Sequence, residues 1–525
     1  MRDSPLPLSS AYGRALLIGL VLLLLLRIVA VLVSPLELYA DEAQYWRWGD
    51  TLDWGYYSKP PMIAWVIHAT TALFGDAPWA IRIAAPVLHA AAAWMLFLTG
   101  RAMAGDRAGF FAAFLYALMP GVVLSSAVIS TDGVLMAFWC AALYLFWQLR
   151  SGQGGLVHAA LLGAAIAGGS LSKYAMLYFL IGMVLAVLTD RASRRALLSP
   201  AGALGGMIAA ILVAPHFAWN AANDFETVSH TVDNLHLGGE LLNPEHIGRW
   251  IGDQMGLFGP VSFLALASGL WLFRKAEGES ARLQRWLLCF ILPVLIVILG
   301  QSVLSRSHAN WTATAYPGAA LLVAVWFSRG SGRVLWASLG LNLALAAVFM
   351  AGTAFLSPAA TQALGVDNAM KRTRGWEASA AAVFAEAERL GATAVLVDER
   401  EAWHGLDYYG RDRTVPLISW QRYAIPKSFA EREDLEGEIA ERVLVASIHA
   451  DMRPYLRSDF ERFEPVGQVR IDLGRRGNGC PITRIFQLYL ASGHDPQPRT
   501  AEWEAVHEGQ SEFPEPPCPA PQAEG

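Results

Sequence analysis

The stretch LELYADEAQYWRWGDTLDWGYYSKPPM, 36–62, sets two adjacent carboxylates, Asp41 and Glu42, beside a band of aromatics that includes Tyr57, and closes on Lys59. Further along, STDG brings Asp132, SLSKYA brings Lys173, and SRSHANWTATAYP brings Arg306, His308 and Asn310. Each type has a defined chemistry. A carboxylate takes a proton from a hydroxyl or stabilises a developing positive charge. Lysine and arginine hold a phosphate as its charge grows. Amides and carboxylates bind hydroxyls, and aromatic faces carry a sugar ring. Together these types imply a pocket for an anionic, lipid-linked substrate.

The elements that must position them are membrane helices. The chain has 525 residues, of which 54% are hydrophobic and only 16% charged, where a soluble chain carries about a quarter charged. Apolar runs of about 20 residues, the length that crosses a bilayer core, give about eleven spans: 15–35, 79–99, 109–128, 133–149, 156–170, 173–189, 200–218, 255–273, 286–304, 312–327 and 334–356. The pair that meets at Gly168–Lys173 reads equally as one kinked helix. The first span has a basic start but no cleavage site, so it reads as an anchor rather than a signal peptide. Nothing basic enough for a nucleic-acid surface is present.

Orientation follows from the short loops. Arg101, Arg107, Arg150, Arg191, Arg194, Arg195, Arg274, Lys275, Arg329 and Arg333 fall on one side with Arg2 and Arg14, the cytoplasmic side by the positive-inside rule. The candidate residues then share the opposite, outer face. So does everything after Leu356, where charge rises and apolar runs shorten. There GWEASAAAVFAEAERLG reads as a helix, and ATAVLVDE, RVLVASI, PVGQVRIDL and TRIFQLYLAS read as strands. The expected organisation is a membrane domain at 1–356, with 36–62 as its first outer loop, an outer α/β domain at 357–495, and a disordered tail at 496–525 rich in Pro, Glu and Gly. Cys140 and Cys289 read as buried packing. Cys480 and Cys518 lie outside, where an oxidising compartment allows them to pair. No cysteine or histidine spacing resembles a zinc or iron–sulfur site.

Bland readings stand beside the sharp one. The aromatics of 36–62 suit an interfacial helix. Asp41 can serve as a helix cap. A lysine at a helix end snorkels, and a lone outer histidine is solvated. Adjacent residues on a helix point about 100° apart, so one of Asp41 and Glu42 can face a pocket while the other caps its neighbours.

The segments YADEAQYWRWGDTLDWGYYSKPPMIAWVIHATTALFG, STDGVLMAFWCAALYLF, GGSLSKYAMLYFLIG, PHFAWNAANDFETVSH and HANWTATAYPGAALL, within residues 35–330, resemble the bacterial GT-C glycosyltransferases of the protein O-mannosyltransferase superfamily. They look most like the lipid A aminoarabinose transferase and galacturonosyltransferase group. The resemblance implies a GT-C fold and inverting transfer of a sugar from a polyprenyl-phosphate donor to lipid A, lipopolysaccharide or another envelope acceptor, on the periplasmic face of the bacterial inner membrane. It implies Asp41 as catalytic acid or base, Asp132 as a second catalytic carboxylate, and Lys59 on the donor phosphate. Glu42, Tyr57, Lys173, Arg306, His308 and Asn310 are assigned to donor phosphate and sugar. The aminoarabinose branch shows Glu-Lys-Pro where this chain has Ser58-Lys59-Pro60-Pro61, which leaves no glutamate for a metal there and is closer to the galacturonosyl form. No metal ligand is assigned; a divalent metal stays open as a cofactor. Two other functions remain: a flippase for a lipid-linked sugar, and protein O-mannosylation.

Overall fold

The computed structural model describes residues 10–225, 227, 244–304, 308–426, 428–432, 435 and 437–507. Helix α1 (Ala11–Val33) starts on Ser10, whose hydroxyl accepts from the Gly13 N–H at 3.0 Å. It stops before Pro35, whose ring disfavours helical backbone in the residue ahead of it. Ile18, Leu22, Leu25 and Leu26 are exposed along it, as befits a helix whose solvent is lipid. Helix α2 (Ala40–Trp48) follows. Asp41 and Glu42 therefore open a second helix rather than close the first. The rings of Tyr45, Trp46 and Trp48 are buried in protein, not spread at an interface.

The remaining long helices are α3 (Met62–Phe74), α4 (Ala84–Ala104), α5 (Asp106–Ala117), α6 (Thr131–Arg150), α7 (Leu156–Ser172), α8 (Leu177–Thr189), α9 (Pro200–Ala222), α10 (Pro244–Phe258), α11 (Pro260–Leu272), α12 (Gly278–Leu304), α13 (Tyr316–Phe327) and α14 (Arg333–Phe355). Every span expected from the sequence contains helix. Among the described residues six helices are long and apolar enough to cross a membrane, or up to eight if each of two bent pairs is one span, against the eleven expected. The reason is local. Helix α5 gives way at Leu118, ahead of Pro120. Helices α7 and α8 are separated at Lys173, whose backbone is extended. Helix α13 has 12 residues, a rise of only ~18 Å against a core of about 30 Å. Helices α10 and α11 meet at 112° across Gly259, whose φ of +93° suits a residue without Cβ.

Contacts divide the chain into two units: Met1–Ser34 with Leu52–Ala354, and Pro35–Thr51 with Phe355–Gly525. In the first, aromatic rings from α6, α8 and α12 (Trp139, Phe146, Phe179, Trp286 and Phe290) fill a buried core. Helices α7 and α9 approach so closely that a Cβ on Gly163 would lie 2.2 Å from the Gly205 carbonyl oxygen. This is the small-residue packing that lets membrane helices touch backbone to backbone.

The second unit holds a five-stranded sheet in the order β2-β1-β3-β5-β4. Strands β1 (Ala394–Val397), β2 (Leu417–Ser419) and β3 (Val443–Ser447) run parallel, and β4 (Phe460–Arg475) and β5 (Pro481–His494) add an antiparallel hairpin. Helices α15 (Trp376–Arg389) and α16 (Arg400–Tyr409) pack on it through Trp376, Val383, Trp403 and Leu406. The four strands and α15 match the sequence reading; β2 is three residues long and escaped it. Residues 496–507, expected to begin the disordered tail, are held instead. Arg499 Nη2 pairs with Asp459 Oδ2 at 2.6 Å, Trp503 Nε1 donates to the Arg422 carbonyl at 2.8 Å, and helix α17 (Ala501–His507) forms. Cys140 and Cys289 are free and buried. Cys518 lies outside the described residues.

Candidate active site

Helix α6 begins on Ser130, whose hydroxyl accepts from the Gly133 N–H at 3.4 Å. This puts Asp132 in the first turn, where the helix dipole favours a negative charge. Lys173 ends α7 with extended backbone, so its side chain is free of the helix. Its Nζ meets Asp132 Oδ1 at 2.7 Å. Asn310 lies on the 3-10 turn Ala309–Ala315, and its Nδ2 donates to Asp132 Oδ2 at 2.9 Å. Three residues far apart in sequence thus converge, with both oxygens of Asp132 engaged and its side chain only 15% exposed. His308 is exposed, with its ring 5.3 Å from that of Trp311. Arg306 lies outside the described residues.

Lys59 is half-buried on the loop between Leu52 and α3, and that loop is tightly built. The Tyr56 N–H donates to the Lys59 carbonyl at 3.2 Å. The Tyr56 carbonyl accepts from Thr227 Oγ1 at 2.7 Å, and Trp65 Nε1 donates to the Asp53 carbonyl at 3.0 Å. Gly55 lets Trp219 lie against the backbone: a Cβ there would come within 2.3 Å of the ring. Tyr57 is buried beside Lys59.

His216, which the sequence sets with Asn220 among polar residues at the start of an outer loop without giving it a role, joins this loop to the α7–α8 break. His216, near the end of α9, bonds to the Trp54 carbonyl through Nδ1 at 2.7 Å and to the Tyr174 hydroxyl through Nε2 at 2.9 Å. Asn220, one turn on, donates to the His216 carbonyl at 3.0 Å. A single buried imidazole therefore connects the neighbour of Lys173 to the Lys59 loop. The i,i+4 spacing of His216 and Asn220 in PHFAWN was the available signal.

Asp41 and Glu42 belong to the second unit. Glu42 is 1% exposed, and its Oε2 accepts from the Tyr39 N–H at 3.0 Å. It completes the capping box of α2. Asp41 is left 38% exposed. Its Oδ1 accepts from Arg400 Nη2 at 3.1 Å, and Arg400 Nη1 donates to Gln44 Oε1 at 2.7 Å. Helix α2 is fastened to the rest of this unit at further points. Arg372 Nη1 donates to the Tyr39 hydroxyl at 2.9 Å, Tyr409 Oη accepts from the Leu38 N–H at 2.8 Å, and Trp46 packs edge-on to Tyr408.

Arg400 is placed by the end of the parallel sheet. Asp398 follows β1 and accepts from Ser447 Oγ at 2.6 Å and from the Ile448 N–H at 2.8 Å, both at the end of β3. Glu399, the N-cap of α16, accepts from His449 Nε2 at 2.6 Å. Burial opposes a charged His449, but the bond to Glu399 and the nearby carboxylates hold its pKa above the ordinary value. His404, on α16, is buried, and among the described residues neither ring nitrogen has a hydrogen-bond partner. Burial, then the charges of Arg400 and Arg47, push its pKa well down. Among the described residues no group of three or more His, Cys, Asp or Glu side chains is arranged to hold a metal ion.

An apolar helical unit with a polar cluster at helix ends, joined to a sheet unit that takes in the first loop, defines a membrane glycosyltransferase of the GT-C class. The chain belongs to the family of the lipid A galacturonosyltransferase RgtD of Rhizobium johnstonii: it is 33% identical to that protein over 423 residues, 80% of this chain and 87% of the relative. The lipopolysaccharide core galacturonosyltransferase RgtA of the same organism is 26% identical over 243 residues, 46% of this chain and 48% of that one. The family described as dolichyl-phosphate-mannose-protein mannosyltransferase matches residues 58–219, a stretch that holds Lys59, Asp132, Lys173 and His216. Among solved structures, ArnT from Cupriavidus metallidurans superposes with TM-score 0.62 in its apo state and 0.60 bound to undecaprenyl phosphate. Identity is 16% in both cases, covering 92% of this chain and 98% of ArnT; this likeness establishes the fold.

Proposed function

We propose that the protein moves galacturonic acid from a polyprenyl-phosphate donor to a hydroxyl of lipid A, with inversion, at the periplasmic face of the inner membrane. The observation that carries this reading is the match to RgtD along nearly the whole of that relative. The Ser58-Lys59-Pro60-Pro61 form of the first-loop motif supports the same branch, and the undecaprenyl phosphate held by ArnT supports the class of donor. The helical unit, Met1–Ser34 with Leu52–Ala354, is the membrane part and carries Lys59, Asp132 and Lys173; the sheet unit, Pro35–Thr51 with Phe355–Gly525, lies in the periplasm and carries Asp41.

The acceptor oxygen attacks the anomeric carbon from the face opposite the phosphate. The C1–O bond to phosphate breaks and its electron pair leaves with the polyprenyl phosphate. The acceptor proton passes to a carboxylate. Asp41 is that base: Oδ1 is held by Arg400, and among the described residues Oδ2 has no hydrogen-bond partner. Asp132 has both oxygens occupied by Lys173 and Asn310, so it serves charge and position rather than proton transfer. Lys59 carries the growing phosphate charge, worth the most where water is excluded.

The test is transfer by the purified protein in lipid, with polyprenyl-phosphate galacturonate and lipid A supplied. Product must form with the wild type, and fall steeply in Asp41→Asn and Lys59→Gln variants that elute and melt as folded protein. Wild-type turnover in both variants rejects the assignment. Movement of the intact lipid across the bilayer without a glycosylated product would make the protein a flippase.

A further inference from the structure

Among the described residues Arg400 is the one guanidinium bonded to Asp41, and it belongs to the sheet unit. We propose that Arg400 is a positioning residue for sugar transfer: it fixes one oxygen of Asp41 so that the other faces the acceptor hydroxyl. This rests on the reading of Asp41 as the base.

The geometry is a two-point clamp. Asp41 and Gln44 lie three residues apart, on one face of α2. Arg400 reaches both, Nη2 to Asp41 Oδ1 at 3.1 Å and Nη1 to Gln44 Oε1 at 2.7 Å. A guanidinium is planar and rigid, so the bond to Gln44 fixes the fork from which Nη2 holds one oxygen of Asp41 in place. Arg400 itself is the first residue of α16, one residue past Glu399, which bonds His449 at the end of β3. The orientation of Asp41 is thereby tied to the end of the sheet. A carboxylate on an unclamped side chain would sample rotamers in which neither oxygen meets the acceptor, and misplacement by about 1 Å can cost on the order of 100-fold in rate.

The other charged groups facing Asp41 are Tyr39 on α2, Glu401 on α16 and Arg372 from the turn Lys371–Thr373. Removing Arg400 leaves Glu401 and Arg372 in place, so the change at Asp41 is the loss of one positive charge and one anchor.

The experiment compares wild type, Arg400→Ala, Arg400→Lys, Gln44→Ala and Asp41→Asn as full-length protein in lipid. Arg400→Ala is expected to lose roughly 10- to 100-fold in kcat with little change in donor KM, the signature of lost transition-state positioning. Arg400→Lys, which keeps the charge without the fork, recovers part of the rate, and added guanidinium ion recovers part in Arg400→Ala. Wild-type kcat in folded Arg400→Ala, or a loss confined to donor KM, overturns the proposal. Should Arg400→Ala not fold, Gln44→Ala decides: a smaller loss of kcat in the same direction supports the clamp, and wild-type kinetics overturn it. Turnover lost in Asp41→Asn but intact in Arg400→Ala rejects the clamp alone. Turnover retained in Asp41→Asn rejects the underlying assignment and the clamp with it.

Discussion

Two aspartates that look alike in sequence are used differently. Asp132 is sealed between Lys173 and Asn310, whereas Asp41 shares one oxygen and keeps the other. The pair Asp132–Lys173 is a mutual dependence, because removing one partner strands a half-buried charge. Thermal unfolding of Asp132→Asn, Lys173→Met and the double variant should therefore be non-additive, with the double variant closer to wild type than the summed single losses. Strict additivity would mean that the two side chains act independently. Asp41→Asn should melt near wild type yet lose about 100-fold or more in turnover, the usual weight of general-base catalysis. The chemistry-bearing residue types were legible because carboxylates and lysines are rare in an oily chain. Their partners were not. Arg400 directly follows ATAVLVDE, which reads as a strand, and nothing in the sequence ties it to Asp41; Glu42 is told apart from Asp41 only by the helix start at Tyr39.

At the scale of elements, hydropathy located the helices, but breaks set by proline, glycine and a single extended residue at Lys173 decided their lengths. Those breaks are not visible to a sliding window, which is why spans counted as eleven resolve into six to eight. The Gly163–Gly205 crossing gives a direct check. A valine at Gly163 meets a backbone oxygen that cannot move aside, so Gly163→Val should lower the unfolding temperature of the protein in lipid, at a cost of about 1–3 kcal/mol. An unchanged midpoint would place the helices farther apart than described. Helix α16 offers a second check through pH. His404 is buried and its pKa lies well below the ordinary value. The unfolded chain binds its proton on acidification and the folded chain does not, so stability falls as pH drops below about 6.5. His449 runs the other way: its pKa is raised, and its contribution is full below the unfolded value and fades as pH rises through the folded one. His404→Leu should flatten the acid-side loss of thermal stability. The same loss in the variant would assign it to other groups.

The whole molecule divides the labour between a membrane unit with a polar cluster at its helix ends and a sheet unit that captures the first loop. That capture could not be read from the sequence. Pro35–Thr51 precedes the sheet by more than three hundred residues, and only tertiary contacts such as Asp41–Arg400 and Trp46–Tyr408 reveal the association. Envelope lipids from cells with and without the gene should differ by one hexuronic acid residue on lipid A. The most direct test is reconstituted transfer from polyprenyl-phosphate galacturonate to lipid A, read by mass spectrometry for wild type and Asp41→Asn side by side. The account predicts a lipid A product heavier by one hexuronic acid residue with the wild type and almost none with the variant. Equal product from both, or no uronic acid transferred by either, would contradict it.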